Sequence, residues 1–140
     1  MISVMLDTNI CVYLLKNNPP GVRTRFEAYN IGEIGISSVT VAELQYGVVK
    51  SAAPEKNARV LEAFLLPLEI IPFDLAAAQA YGVIRAHLER RGHPIGSMDM
   101  LIAAVAISRQ CTLVTHNLRE FTRVEGLLCE TWVPQSPSDV

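Results

Sequence analysis

Three carboxylates stand where the sequence makes charge least welcome. Asp7 follows the apolar run ISVML directly, Glu43 lies inside SSVTVAELQYG, and Asp99 opens the most hydrophobic stretch, SMDMLIAAVAI. A fourth polar position, Asn117 in LVTHNLREF, follows another apolar run. A carboxylate beside a core is costly unless something compensates it. Oxygen donors with no His or Cys among them suit a hard cation, Mg²⁺ or Mn²⁺. Such an ion keeps several waters, and one of these can attack a phosphodiester in line.

Each residue also has a simpler reading. Asp7 is well placed to cap a helix, and Asp99 near a helix start is favoured by the helix dipole. Asn117 alone is an ordinary turn residue. Glu43 is harder to dismiss. It lies on the helical stripe of Val39, Ala42 and Tyr46, which is predicted to face the core, and a carboxylate there is seldom left without a partner. Asp99 shares its stripe with Ile102, Ala103 and Ala106.

Hydrophobic periodicity outlines the elements that would bring these residues together. Strands are predicted over 2–6, 34–37, 69–72, 112–115 and 129–133. Helices are predicted over 9–16 and 22–29, from a cap at Ser38 or Thr40 to 50, over 54–66, from the cap Asp74 to 91, over 97–110 and over 118–123. Pro54 suits a first helical turn and Gly92 a helix end. Strands separated by helices predict an α/β fold whose parallel sheet is covered on both faces. Ligands bind such sheets beyond the carboxyl ends of the strands. Asp7 and Asn117 end two strands, while Glu43 and Asp99 fall in the first turns of helices starting near the same edge. All four can therefore converge.

The totals fit this picture. The chain has 140 residues, with 50% hydrophobic and 19% charged, so one domain over 1–133 is expected, followed by a frayed polar tail over 134–140. That apolar content is rich enough to expect part of the surface to be covered by a partner. The net charge of −2 excludes a strongly basic nucleic-acid binder, but not an enzyme acting on RNA, because a bound divalent cation would balance it. No uncharged apolar run approaches the roughly 18 residues of a membrane span, and no signal-peptide pattern opens the chain. Cys11, Cys111 and Cys129 form no CxxC pair. They fit a reducing cytoplasm and argue against structural zinc.

MLDTNI, SSVTVAELQYG, SMDMLIAA and LVTHNLREF, in this order and at these spacings, resemble PIN-domain ribonucleases. More closely, they resemble the VapC toxins of type II VapBC toxin–antitoxin modules, enterobacterial members in particular. The likeness runs to Trp132. It implies a three-layer α/β/α fold with a mainly parallel central sheet, and a Mg²⁺- or Mn²⁺-dependent endoribonuclease. Asp7, Glu43 and Asp99 would hold the metal and activate water, and Asn117 would complete the catalytic set. Cleavage would leave a 3′-hydroxyl and a 5′-phosphate. Initiator tRNA, cut in its anticodon stem-loop, is the implied substrate, and arrested translation the implied outcome. The implied partners are a second copy of the chain, higher toxin–antitoxin assemblies, and a VapB antitoxin laying its C-terminal segment over the site. Thr8, Asn9, Ser38 and Thr115 match the family's polar shell and are expected to aim Asp7 and Asp99, with Thr8 and Asn9 also starting the helix. One position departs from the pattern: many PIN domains have Asp where this chain has Asn117. The neutral amide weakens any second metal position and favours a one-metal mechanism. Glu120 is close enough to contribute but is expected on a helix surface.

Arg85, Arg90 and Arg91, with His87 and His93, form a basic run that can meet RNA phosphates, or simply a solvated face opposite Glu89. Lys16, Arg23 and Arg25 form a second strip. Strand alternation points His116 away from the carboxylates, and Tyr46 and Tyr81 fit a core or a dimer interface. Two other functions fit the residues less well. A module that binds RNA or an antitoxin without cutting has no need of buried charges. A phospho-receiver domain needs an acceptor Asp after its third strand and a Lys after its last. Here the third strand runs into Pro72-Phe73-Asp74, and no lysine follows Lys56.

Overall fold

Short apolar strands alternate with helices along the chain in the computed structural model, which describes residues 1–134. The order is β1 (Val4–Leu6), α1 (Thr8–Lys16), α2 (Pro20–Glu27), β2 (Ile34–Ser37), α3 (Ser38–Val49), α4 (Pro54–Leu65), β3 (Glu69–Ile71), α5 (Leu75–Arg90), α6 (Ser97–Arg109), β4 (Thr112–Val114), α7 (Leu118–Phe121) and β5 (Cys129–Glu130). The strands form one sheet in the order β3-β2-β1-β4-β5, and every pairing is parallel. β1 is central, with Leu6 opposite Ile36 on one side and Val114 on the other.

Alternation along each strand divides the apolar residues between two cores. Met5 and Leu113 face a core built from α5, α6 and α7, which includes Ile84, Leu88, Ile102, Val105 and Phe121. Val4, Leu6, Ile36 and Val114 face the other, with Ile10, Leu14, Val22, Leu44 and Leu61 from α1 to α4. This is the expected three-layer arrangement. α6 lies against both the sheet and α5, so the run Ile102 to Ala106 is buried on every side.

β2 spans the predicted residues, whereas the other strands are shorter: Ile2 lies outside β1, β3 ends before Pro72, β4 before Thr115, and β5 at Glu130. α2 starts earlier than predicted, with Pro20 in its first turn. Two expectations for α3 need correction. Its cap is Ser37, whose hydroxyl accepts from the Thr40 N–H at 3.0 Å, not Ser38 or Thr40. Its buried residues are Thr40 and Leu44, whereas Ala42 is exposed and Tyr46 is 65% exposed. Apolar side chains surround this helix almost completely, so no single stripe in its sequence marks the inner face. Most of the tail expected at 134–140 falls outside the described residues.

Gly35 in β2 permits the close approach of its neighbours. A Cβ there would stand 2.8 Å from Ile71 Cδ1 and 3.2 Å from the Glu69 carbonyl. The backbone oxygen cannot yield without disturbing the β2–β3 ladder. Gly35→Ala is therefore expected to destabilise the protein by about 1–3 kcal/mol through overpacking, read as a lower denaturation midpoint; an unchanged midpoint would show that the strands move apart freely.

Candidate active site

Asp7 follows β1, and its N–H still donates to the Val114 carbonyl at 2.9 Å. The ladder thus fixes its backbone, and its side chain is only 4% exposed. Oδ1 accepts from the Ile10 N–H at 3.0 Å, which makes Asp7 the cap of α1. Oδ2 accepts from the Thr115 hydroxyl, and Thr115 Oγ1 in turn accepts from the Asn117 N–H at 2.9 Å. Burial raises the Asp7 pKa. The Thr115 hydroxyl and the Ile10 and Asn9 amides oppose that rise, and the negative charge of Glu43 adds to it. Cap and charged site residue are one side chain here. The capping role expected of Thr8 and Asn9 belongs to Asp7, and Asn9, itself exposed, contributes only its backbone N–H.

Glu43 projects from the second turn of α3. Thr8 at the start of α1 donates to its Oε1 at 2.6 Å. The Thr8 hydroxyl also lies 3.3 Å from Thr40 Oγ1, which is 3.3 Å from the Ser37 hydroxyl. This chain of hydroxyls ties α1 to α3, so Thr8 holds Glu43 rather than Asp7. Ser38 points elsewhere and accepts from the Phe73 N–H at 3.1 Å, bracing the turn after β3.

Asp99 occupies the first turn of α6, which has no side-chain cap, so the free N–H groups and the helix dipole favour its charge. Its pKa is nevertheless raised to about 7. Desolvation is the largest cause, followed by a hydrogen bond shared with Glu120 and by the negative charges of Glu120, Asp7 and Glu43. Asn117 Nδ2 donates to Glu120 Oε2 at 3.0 Å. Glu120, expected on a helix surface, therefore joins the site, and Asn117 serves it as a hydrogen-bond donor. Asn117 and Glu120 are three residues apart, and that spacing was the one hint the sequence offered.

Four carboxylates thus meet at one edge of the sheet, Asp7 and Glu43 from one layer and Asp99 and Glu120 from the other. Among the described residues, no three acidic, His or Cys side chains stand close enough to close directly on one ion. The carboxylates are held instead by Thr8, Thr115, Asn117 and one another. The donor set still fits a hard cation: every group is an oxygen, and Asp99, raised first by burial, also feels the negative charges of Glu120, Asp7 and Glu43. Thr115 carries much of this alignment. Thr115→Val is expected to lower activity about 10- to 100-fold, the usual cost of losing a residue that orients a metal ligand, in a titration of rate against metal concentration.

The other candidates are placed differently. Arg85 is held by Glu89 at 2.8 Å and by the Tyr81 hydroxyl at 2.9 Å, whereas Arg90 and Arg91 are exposed at the end of α5. Arg23 bonds the Leu14 carbonyl and pairs with Glu27, and Arg25 pairs with Glu130 beside the Trp132 ring. His116 rests edge-on against Tyr13.

Comparison with known proteins agrees with this geometry. Residues 4–127 match the PIN domain. The chain is 49% identical to the tRNA(fMet)-specific endonuclease VapC of Shigella flexneri over 94% of its length and 99% of that protein's. It is 47% identical to Ribonuclease VapC2 of Rickettsia felis over 91% of its length and 96% of that protein's. The crystal structure of DNA-bound VapBC from Salmonella typhimurium contains a chain that superposes with a TM-score of 0.90 at 47% identity, covering 95% of this chain and 100% of that one. Fold, ordered motifs and near-complete coverage agree, and the chain belongs to the VapC family of PIN-domain endoribonucleases.

Proposed function

We propose that this protein is the toxin of a toxin–antitoxin pair: a divalent-metal-dependent endoribonuclease that cuts tRNA and so stops translation. The observation that carries this reading is the meeting of Asp7, Glu43, Asp99 and Glu120 at one sheet edge, in a chain so similar to a tRNA(fMet)-specific endonuclease. Initiator tRNA, cut in its anticodon stem-loop, is the substrate we infer. A helix of the length and apolarity needed to cross a membrane is absent among the described residues. Three free cysteines support a cytoplasmic setting, where tRNA is found.

Mg²⁺ or Mn²⁺, held by Asp7, Asp99 and Glu43, would supply Lewis acidity and a water of lowered pKa. The protein's own work is positioning. The ladder bond to Val114 and the hydroxyl of Thr115 fix Asp7. Thr8 fixes Glu43, and Asn117 turns Glu120 toward Asp99. A cation bound among these carboxylates would offset their repulsion of the phosphodiester. Hydrolysis leaves a 3′-hydroxyl and a 5′-phosphate.

The apolar surface supports partners. A groove of about 340 Å³ runs from Thr8 and Glu43 past Val12, Leu15, Val48 and Leu61. It suits the apolar segment of a VapB-type antitoxin reaching the carboxylates. Exposed Tyr46, Val49, Leu66 and Ile70 support self-association. The test of function is cleavage of purified tRNA with and without EDTA, followed by sequencing of the new 5′ ends. Intact tRNA at stoichiometric protein with Mg²⁺ or Mn²⁺ would leave the non-cleaving binding module as the better reading.

A further inference from the structure

A second groove lies along the segments that adjoin Asp99 and Glu120 in sequence, and its two arginines outnumber its one carboxylate. It measures about 600 Å³ and is lined by Leu88, Arg91, His93, Thr122, Arg123 and Glu125. Its walls continue the segments that carry the site. Arg91 and His93 belong to the turn leading into α6 and Asp99, while Thr122 and Arg123 follow α7 and Glu120 directly. Arg123 Nη1 donates to the Pro94 carbonyl at 3.2 Å, joining the two walls.

The arginines here differ from most others in the chain. Arg23, Arg25, Arg85 and Arg109 each pair with a carboxylate. Among the described residues, Arg90, Arg91, Arg119 and Arg123 have no such partner, and all four belong to α5's end, α7 or the segment after α7. Arg59, on α4, is the other arginine without one. Glu125, the one carboxylate lining the groove, sits 3.4 Å from His87 Nε2. Unpaired guanidiniums beside an anionic site make sense if a polyanion bridges the two, because they offset the repulsion between its phosphates and the carboxylates.

We propose that Arg91, His93 and Arg123 form a cradle for the RNA backbone, gripping phosphates beside the scissile one. The sequence placed Arg85 with this group, but its guanidinium is engaged by Glu89 and Tyr81, and Arg123 takes its place. The proposal rests on RNA being the substrate, and its test is built to separate the two claims.

The probe is a labelled tRNA transcript bound to Asp7→Asn protein, which keeps the groove intact while removing a site carboxylate. Arg91→Ala with Arg123→Ala in that background is expected to reduce the slope of log affinity against log salt by about 1.5. Affinity in low salt should fall by about tenfold. Glu125→Gln should tighten binding about 2- to 5-fold by removing the opposing charge, and Arg59→Ala on α4 should change neither quantity. Arg91→Glu is the safeguard if loss of the Arg123–Pro94 bond prevents folding, since among the described residues no side-chain hydrogen bond or ion pair holds the Arg91 guanidinium. An unchanged slope, or no measurable tRNA binding, overturns the cradle. If the wild type fails to cut tRNA while the slope still responds to Arg91 and Arg123, the cradle stands and the nuclease reading falls.

Discussion

Asp7→Asn is expected to reduce RNA cleavage by about 10³-fold without destabilising the metal-free protein. On the proposed metal site, the loss follows from removing one ligand charge, since a bound metal supplies several kcal/mol of transition-state stabilisation and about 1.4 kcal/mol corresponds to tenfold in rate. The stability follows from the bonds the side chain already makes. Asn retains the oxygen that accepts from the Ile10 N–H, and the Thr115 hydroxyl can turn to accept from the new amide. The substitution also removes a charge whose pKa burial has raised, so the midpoint should stay level or rise. Asp7→Ala loses the cap as well and should cost about 1 kcal/mol. Single-turnover cleavage together with thermal denaturation separates these effects, and wild-type cleavage by Asp7→Asn would refute the assignment.

Asp99→Asn should give a comparable loss of activity and, in addition, change how stability depends on pH. The folded protein holds a proton on Asp99 up to about pH 7, whereas the ordinary value for this side chain is 3.8. Between those two values the folded state binds more protons than the unfolded one. Stability therefore falls as pH rises through this window and levels off above it. Metal-free wild type should melt at a lower temperature at pH 8 than at pH 5. An asparagine carries no proton to lose, so the substituted protein should lack this component of the decline. A divalent cation should restore the wild type at pH 8, because it binds the ionised carboxylates. Identical pH profiles for both proteins in the absence of metal would show that burial and the neighbouring carboxylates do not keep Asp99 protonated toward neutral pH.

Most of this architecture was legible in the sequence because the signals were local. The buried run in α6, the caps at Asp74 and Gly92, and the separation of strands by helices each rest on a short stretch of chain. The convergence of Asp7, Glu43 and Asp99 was legible for a different reason. Parallel topology carries strand ends and helix starts to one edge, whatever their distance along the chain. What escaped were side-chain directions. Whether Glu120 leaves a four-residue helix inward or outward depends on Asn117 and Asp99, and no periodicity exists over so few residues. The inner face of α3 was misread because apolar residues on all sides hide it. Thr8 was paired with the wrong carboxylate because its partner comes from a helix 35 positions on.

The amide of Asp7 is tied into the ladder beside the central strand, whereas Glu120 sits on a single helical turn held down by Phe121. The two halves of the site should therefore open on different timescales. The Asp7 amide should exchange its hydrogen only when the whole protein unfolds, and the amides of α7 through local fraying. On warming, cleavage should fail before the fold does, at the temperature where α7 loosens and Glu120 drifts from its neighbour. Activity should then return on cooling, because the half of the site built on the central strand stays assembled.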